Sequence, residues 1–141
     1  MHQVLPTSFD AALALGQQNE AVIEHELRYH GINVQPTDHF TKQPFDFFLP
    51  DGSSVEVKLD IRSQGTRCIA LEEPSYQRAA DFHIHTICYA KVFTRAQVEA
   101  LWRKGKITQA GDYGYNVRYV PMSEVRNTGV YLHEFIKSLK V

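Results

Sequence analysis

The segment Leu49-Pro50-Asp51-Gly52-Ser53 constrains this chain more than any other, because it forces two apolar runs to fold back on one another. Proline presets φ at the second position of a turn, and glycine takes the left-handed position that follows. Those preferences predict a three-residue hairpin loop between strands in Pro44–Pro50 and Ser53–Asp60. Such a loop pairs Leu49 with Ser53, Phe47 with Val55 and Asp46 with Glu56. Directly opposed residues share a face, with Cβ atoms about 5 Å apart, so Asp46 and Glu56 are expected side by side. A two-residue Asp51-Gly52 turn would slip the register and send Asp46 to the other face.

Within Val55-Glu56-Val57-Lys58 the strand period of two places Glu56 and Lys58 on one face and the valines on the other. With Asp46 added, two carboxylates and an ammonium converge. Adjacent carboxylates repel unless a cation lies between them. Hard oxygen ligands suit magnesium, which binds through one or two carboxylates plus substrate phosphate. Such an ion lowers the pKa of water and polarises a phosphate, and Lys58 beside it would stabilise charge on the transition state. A Glu-x-Lys pair on a strand is more often a solvated, salt-bridged face. The apolar surroundings (Phe45, Phe47, Phe48, Leu49, Val55 and Val57) argue against that here, as does an acidic residue upstream.

That residue is Glu20. Residues 8–30 read as a helix, with Thr7 or Ser8 as N-cap and Gly31 placed to end it. Leu13, Gly16, Glu20, Ile23 and Leu27 advance by three or four and trace one stripe, which should face the sheet. An unpaired carboxylate on that stripe would be costly. Gly16, one turn earlier, is expected to permit a close backbone approach. Glu24, on the edge of the stripe, is the rival for the same role, and Glu26 falls on the outer face.

Elsewhere the pattern predicts a short strand at 32–35, a polar loop from Arg62 to Thr66, and a strand at Arg67–Leu71. A loop and short helix follow at Glu72–Ala80, then a strand at Phe82–Val92. Thr94 and Gln97 form a capping box for a helix to about Lys104; a strand near 116–120 and a helix near 130–139 complete the chain. This is a mixed α/β pattern, a central sheet with helices on its faces. The 141 residues suit a single domain, 1–141, burying roughly two-thirds of its unfolded surface. No apolar run of about 18 residues occurs, so no membrane span is expected. Met1–Pro6 lacks the pattern of a secretory signal. Cys68 and Cys88 lie in apolar runs and read as reduced thiols, which fits a cytoplasmic protein. Fifteen Lys and Arg against sixteen Asp and Glu give a net charge of −1, which departs from the basic character of most nucleic-acid binders. An acidic cluster that recruits cations to meet phosphate partly accounts for that.

The run Gly16-x3-Glu20-x6-Leu27-x3-Gly31, followed by Asp46-x9-Glu56-x-Lys58, resembles the PD-(D/E)XK nuclease core. It is particularly similar to archaeal Holliday-junction resolvases and phage junction-resolving endonucleases over about residues 13–93. Phe45 replaces the proline before the aspartate. The resemblance implies a restriction-endonuclease-like core of order α-β-β-β-α-β, with a central mixed sheet flanked by helices. It further implies a catalytic set of Glu20, Asp46, Glu56 and Lys58. Magnesium, with manganese as a substitute, would be held by Asp46, Glu56, Val57 and Glu20. DNA is the implied substrate and a homodimer the implied assembly, with no membrane role. The activity expected is endonucleolytic, on branched or damaged DNA. An exonuclease or nicking enzyme with the same site is the alternative, as is a catalytically silent nucleic-acid-binding or assembly module.

Weaker candidates surround this set. Gln77 is a possible auxiliary by the same resemblance. Lys42, Arg62 and Arg67 are placed to grip phosphates, and Glu72 and Glu73 read as solvated loop residues. His83 and His85 share a strand face but lack further ligands for zinc. Leu101 and Trp102 read as a helix packing face. Glycine-rich phosphate loops and Gly-x-Ser-x-Gly elbows are absent, which leaves ATPase and serine-hydrolase readings unsupported.

Overall fold

The computed structural model describes residues 9–36, 45–60, 67–78, 80–87, 89–107 and 116–140. Thr7, Ser8, Lys42, Arg62, the loop to Thr66 and Cys88 lie outside them, as does the side chain of Leu13. The chain begins with helix α1 (Phe9–Tyr29), ended by Gly31 at φ +84°, as its position after the apolar stripe predicts. Strands β1 (Gln35–Pro36), β2 (Phe47–Phe48) and β3 (Ser54–Leu59) form an antiparallel meander.

The hairpin between β2 and β3 has the three-residue geometry. Gly52 N–H donates to Leu49 O at 2.9 Å, Leu49 N–H donates to Ser53 O at 2.9 Å, and Gly52 sits at φ +90°. Asp51 Oδ1 accepts from Ser53 N–H at 2.8 Å and tightens the turn. The register follows: Phe47 opposes Val55 and Phe48 opposes Ser54.

After β3 the chain leaves the sheet. Strand β4 (Cys68–Glu72) and helix α2 (Glu73–Arg78) precede β5 (Phe82–Thr86), which returns to pair in parallel with β3. The order α1-β1-β2-β3-α2-β5 is the α-β-β-β-α-β core, interrupted by β4. Strand β6 (Ala90–Thr94) pairs with β5; helix α3 (Arg95–Lys104), β7 (Lys106–Ile107), β8 (Val117–Pro121), α4 (Met122–Val125), β9 (Val130–Tyr131) and α5 (Leu132–Leu139) complete the chain. The six-stranded sheet runs β1-β2-β3-β5-β6-β9, mixed because only β3 and β5 are parallel. A second, antiparallel sheet runs β4-β8-β7.

Two expectations about strands required revision. The stretch 82–92 is a hairpin rather than one strand, with Ile87 N–H donating to Tyr89 O at 3.0 Å in the turn. Thr86, Ile87 and Tyr89 carry none of the usual turn chemistry, so nothing local announced it. Glu72 ends β4 instead of opening a loop, continuing the alternation of Ile69 and Leu71.

The large sheet is covered on both faces. Ile23 and Leu27 from α1 and Phe135 and Ile136 from α5 pack on Phe47, Val55, Ile84 and Val92. On the other face Phe93 meets Ile69, Leu71, Val98, Leu101, Trp102, Val120 and Val125 from the second sheet and its helices. Leu101 and Trp102 are thus packing residues, as helical spacing predicted. Thr94 caps α3 through the reciprocal box with Gln97. Asp60, at the end of β3, joins the sheets: its N–H donates to Thr86 O and its Oδ2 accepts from Ala70 N–H, both at 2.8 Å. Among the described residues no helix is long and apolar enough to cross a membrane.

Candidate active site

Strand β3 is the axis of the site. Its alternation puts Val55 and Val57 toward α1, and Glu56 and Lys58 toward the second sheet. The parallel ladder sets Glu56 beside His83 and Lys58 beside His85. Those four side chains, with Ala70, Leu71, Glu72, Ser75, Tyr76 and Val98, line a pocket between the two sheets.

Glu56 is 7% exposed. Ser75 Oγ donates to its Oε1 at 3.1 Å, and His83 Nδ1 stands 3.8 Å from its Oε2. Lys58 forms an ion pair with Glu72. His85 is fully enclosed against Phe93, and burial, then the neighbouring His83 and Lys58 charges, pushes its pKa down to about 3. It is therefore neutral at ordinary pH. Among the described residues no three His, Cys, Asp or Glu side chains are grouped so as to hold a metal ion.

Asp46 takes a different position from the one cross-strand pairing implies. Its N–H donates to Val55 O at 3.0 Å, but β2 begins only at Phe47, so the pleat does not direct its side chain. Asp46 Oδ2 instead accepts from Val57 N–H at 2.6 Å. A strand N–H lies in the plane of its sheet, so this carboxylate occupies the edge of β3 rather than the face that carries Glu56. Because the N–H and C=O of one residue point to the same edge, the Val57 carbonyl is directed to the Asp46 side as well.

Glu20 reaches that edge from α1. It hydrogen-bonds Asp46, and its pKa is raised to about 7, first by burial, then by the Asp46 charge and the shared hydrogen bond, and least by Glu24. Glu24 itself is committed to Arg28, accepting from Nε at 3.1 Å and Nη2 at 3.0 Å. Glu20 is therefore the helix carboxylate that meets the hairpin aspartate. Glu26 is exposed beside His30, as its outer position predicted. Gly16 does not serve a close approach: among the described residues a Cβ there would meet nothing within 4 Å.

The acidic groups thus form two clusters, Glu20–Asp46 at the edge of β3 by Val57 and Glu56–Lys58–Glu72 in the pocket. Ser75 is the neighbour that sequence reading passed over, and Glu72, expected as a solvated loop residue, is instead largely buried against Lys58 because it continues β4 into the pocket. Gln77, the auxiliary suggested from α2, is exposed, and Ser75 is the residue of that helix in contact with Glu56. Arg67 is exposed at the start of β4.

No protein-family model matches the sequence, and no curated protein matches it either. Solved structures do. A nuclease from a fusselovirus superposes with a TM-score of 0.54 at 16% identity, over 98% of this chain and 95% of that one. A Holliday junction resolvase from the archaeal hyperthermophile Archaeoglobus fulgidus superposes with a TM-score of 0.54 at 12% identity, over 88% of this chain and 99% of that one. The chain has the fold of these nucleases. The superpositions run over nearly the whole length of both, so the mixed sheet and its flanking helices are shared and not merely a local hairpin. The resemblance drawn from Glu20, Asp46, Glu56 and Lys58 and the likeness of backbones therefore point to the same fold by separate routes.

Proposed function

We propose that this chain is a metal-dependent DNA endonuclease that hydrolyses phosphodiester bonds, with branched or damaged DNA as its substrate. The observation that carries the reading is the meeting of Glu20 and Asp46 beside the Glu56-x-Lys58 strand. Two carboxyl groups in hydrogen-bond contact share a proton at neutral pH, and a divalent cation is the natural replacement for that proton. The donor set fits magnesium: carboxylates and a main-chain carbonyl, all hard oxygens, without the closed sulfur or imidazole cage of zinc. Asp46 and Glu56 would hold the ion, with the Val57 main chain and Glu20 beside them. When bound, such an ion supplies Lewis acidity to the scissile phosphate and eases ionisation of water.

The chain's own groups set the geometry. The bond from Val57 N–H fixes one oxygen of Asp46, so its other oxygen has a defined direction. Ser75 orients Glu56 in the same way, through its bond to Oε1. Lys58 places positive charge where the phosphate gains negative charge, an interaction worth most in the transition state. Glu20 faces the same edge from α1 and orients what Asp46 holds. The net charge of −1 fits recognition through a local cation-bearing site rather than a broad basic surface. We further propose a homodimer, which would present one site to each strand of a branched substrate.

Cleavage of supercoiled plasmid, single strands and a four-way junction tests this. Activity should appear with magnesium or manganese and vanish in EDTA, and calcium should support binding without efficient turnover. Lys58→Ala should lower the rate and leave DNA affinity nearly intact. Full activity in EDTA would overturn the reading.

A further inference from the structure

Both members of the Glu56-x-Lys58 pair are touched by one short segment of the second sheet. Glu72, the last residue of β4, pairs with Lys58, and Ser75, three residues on in the first turn of α2, donates to Glu56. That junction is anchored on its far side. Glu72 opposes Val117 in the β4–β8 ladder, Glu73 N–H donates to Asn116 O at 3.0 Å, and Asn116 Nδ2 donates to Glu73 Oε2 at 3.2 Å. The three-stranded sheet is thus a frame that holds the Glu72–Ser75 segment over the Glu-x-Lys strand.

We infer that Glu72 is a positioning residue, clamping the Lys58 ammonium in its working orientation. A lysine ammonium sits on a flexible four-carbon stem with a large rotamer entropy, so a free one would be poorly placed. The Glu72 side chain is only 16% exposed, against 37% for Lys58. A carboxylate so enclosed requires a partner, and the clamp supplies it. An ammonium has three donors, so a bond to Glu72 does not exhaust its capacity to meet a phosphate. The clamp stands on geometry, and only its effect on turnover rests on the nuclease reading.

A double-mutant cycle reads the coupling. Glu72→Gln should lower kcat about 10-fold or more, the scale seen when an orienting partner of a functional group is lost, with KM little changed. In a Lys58→Met background the same substitution should have no further effect, because it acts through the lysine. Glu72→Asp, which keeps the charge, should recover part of the loss. A residue that merely supports β4 would lower activity equally in both backgrounds, and that result overturns the inference. A second readout needs no turnover: acetylation of Lys58 by an amine-reactive ester, followed by mass spectrometry, should run several-fold faster in Glu72→Gln than in the wild type. Unchanged reactivity also overturns the clamp. If the wild type cuts no DNA but Lys58 shielding depends on Glu72, the nuclease reading falls and the clamp stands. If the wild type cuts DNA and Glu72→Gln matches it in rate and reactivity, the clamp falls and the nuclease reading stands.

Discussion

Replacing Glu20 by Gln isolates the electrostatics of the paired carboxyl groups. Glu20 titrates at about 7 in the folded protein against 4.5 as a free side chain, so the folded state binds more protons than the unfolded state between those values. The contribution of Glu20 to stability is therefore greatest below 4.5, falls as pH rises through the window, and is least above about 7. At about 1.36 kcal/mol per unit the shift sets a ceiling near 3.4 kcal/mol. Glu20 is only half-buried, and screening by solvent reduces this to about 1–2 kcal/mol. Glutamine keeps the size and the hydrogen bond and removes the charge. Glu20→Gln should thus be more stable than the wild type by that amount at about pH 8 in EDTA, and the gap should close at about pH 5. Magnesium should stabilise the wild type at the higher pH and the variant less, because a cation replaces the proton only where two carboxylates face each other. Urea denaturation at the two pH values, with and without magnesium, measures all three effects. Cleavage should slow by about 10²-fold at the same time, the loss typical of a positioned catalytic group. Equal stability differences at both pH values would refute the shared-proton pair. If Glu24→Gln were the slow enzyme and Glu20→Gln cut normally, the catalytic assignment would fail instead.

Two further predictions concern stability. His85 titrates at about 3 when folded and 6.5 when free, so its contribution is complete above 6.5 and lost as pH falls toward 3, by up to about 5 kcal/mol at 1.36 kcal/mol per unit. His85→Leu should flatten the acid limb of a stability–pH curve, and an unchanged limb would contradict the burial argument. Gly129, at φ +77°, leaves no room for a Cβ, which would lie 2.5 Å from Val92 O and 2.7 Å from Phe93 Cδ1. Gly129→Ala should cost at least about 2 kcal/mol in urea denaturation, from left-handed strain together with overpacking; a loss under about 0.5 kcal/mol would show that the turn relaxes freely.

Local chemistry determined a good deal of this protein. Pro50, Asp51 and Gly52 set the turn, the turn set the Phe47–Val55 register, and the strand period then put Glu56 and Lys58 on one face. Thr94 and Gln97 started α3. Those are interactions between residues a few positions apart, where backbone geometry leaves few options, so the residues alone suffice to read them. Tertiary structure decided which side chains those residues meet. Glu20 and Glu24 are nearly equivalent by helical spacing, and only the packing of α1 on β3 brings Glu20 to Asp46 while Glu24 turns to Arg28. The same holds for Glu72 and Ser75, which a parallel crossover of more than twenty residues carries back over β3. Asp46 was legible as a neighbour of β3, but its place at the strand edge depends on where β2 ends and on the direction of Val57 N–H. Periodicity specifies the face of an element; which partner lies across that face is set by the folding of distant segments into one core.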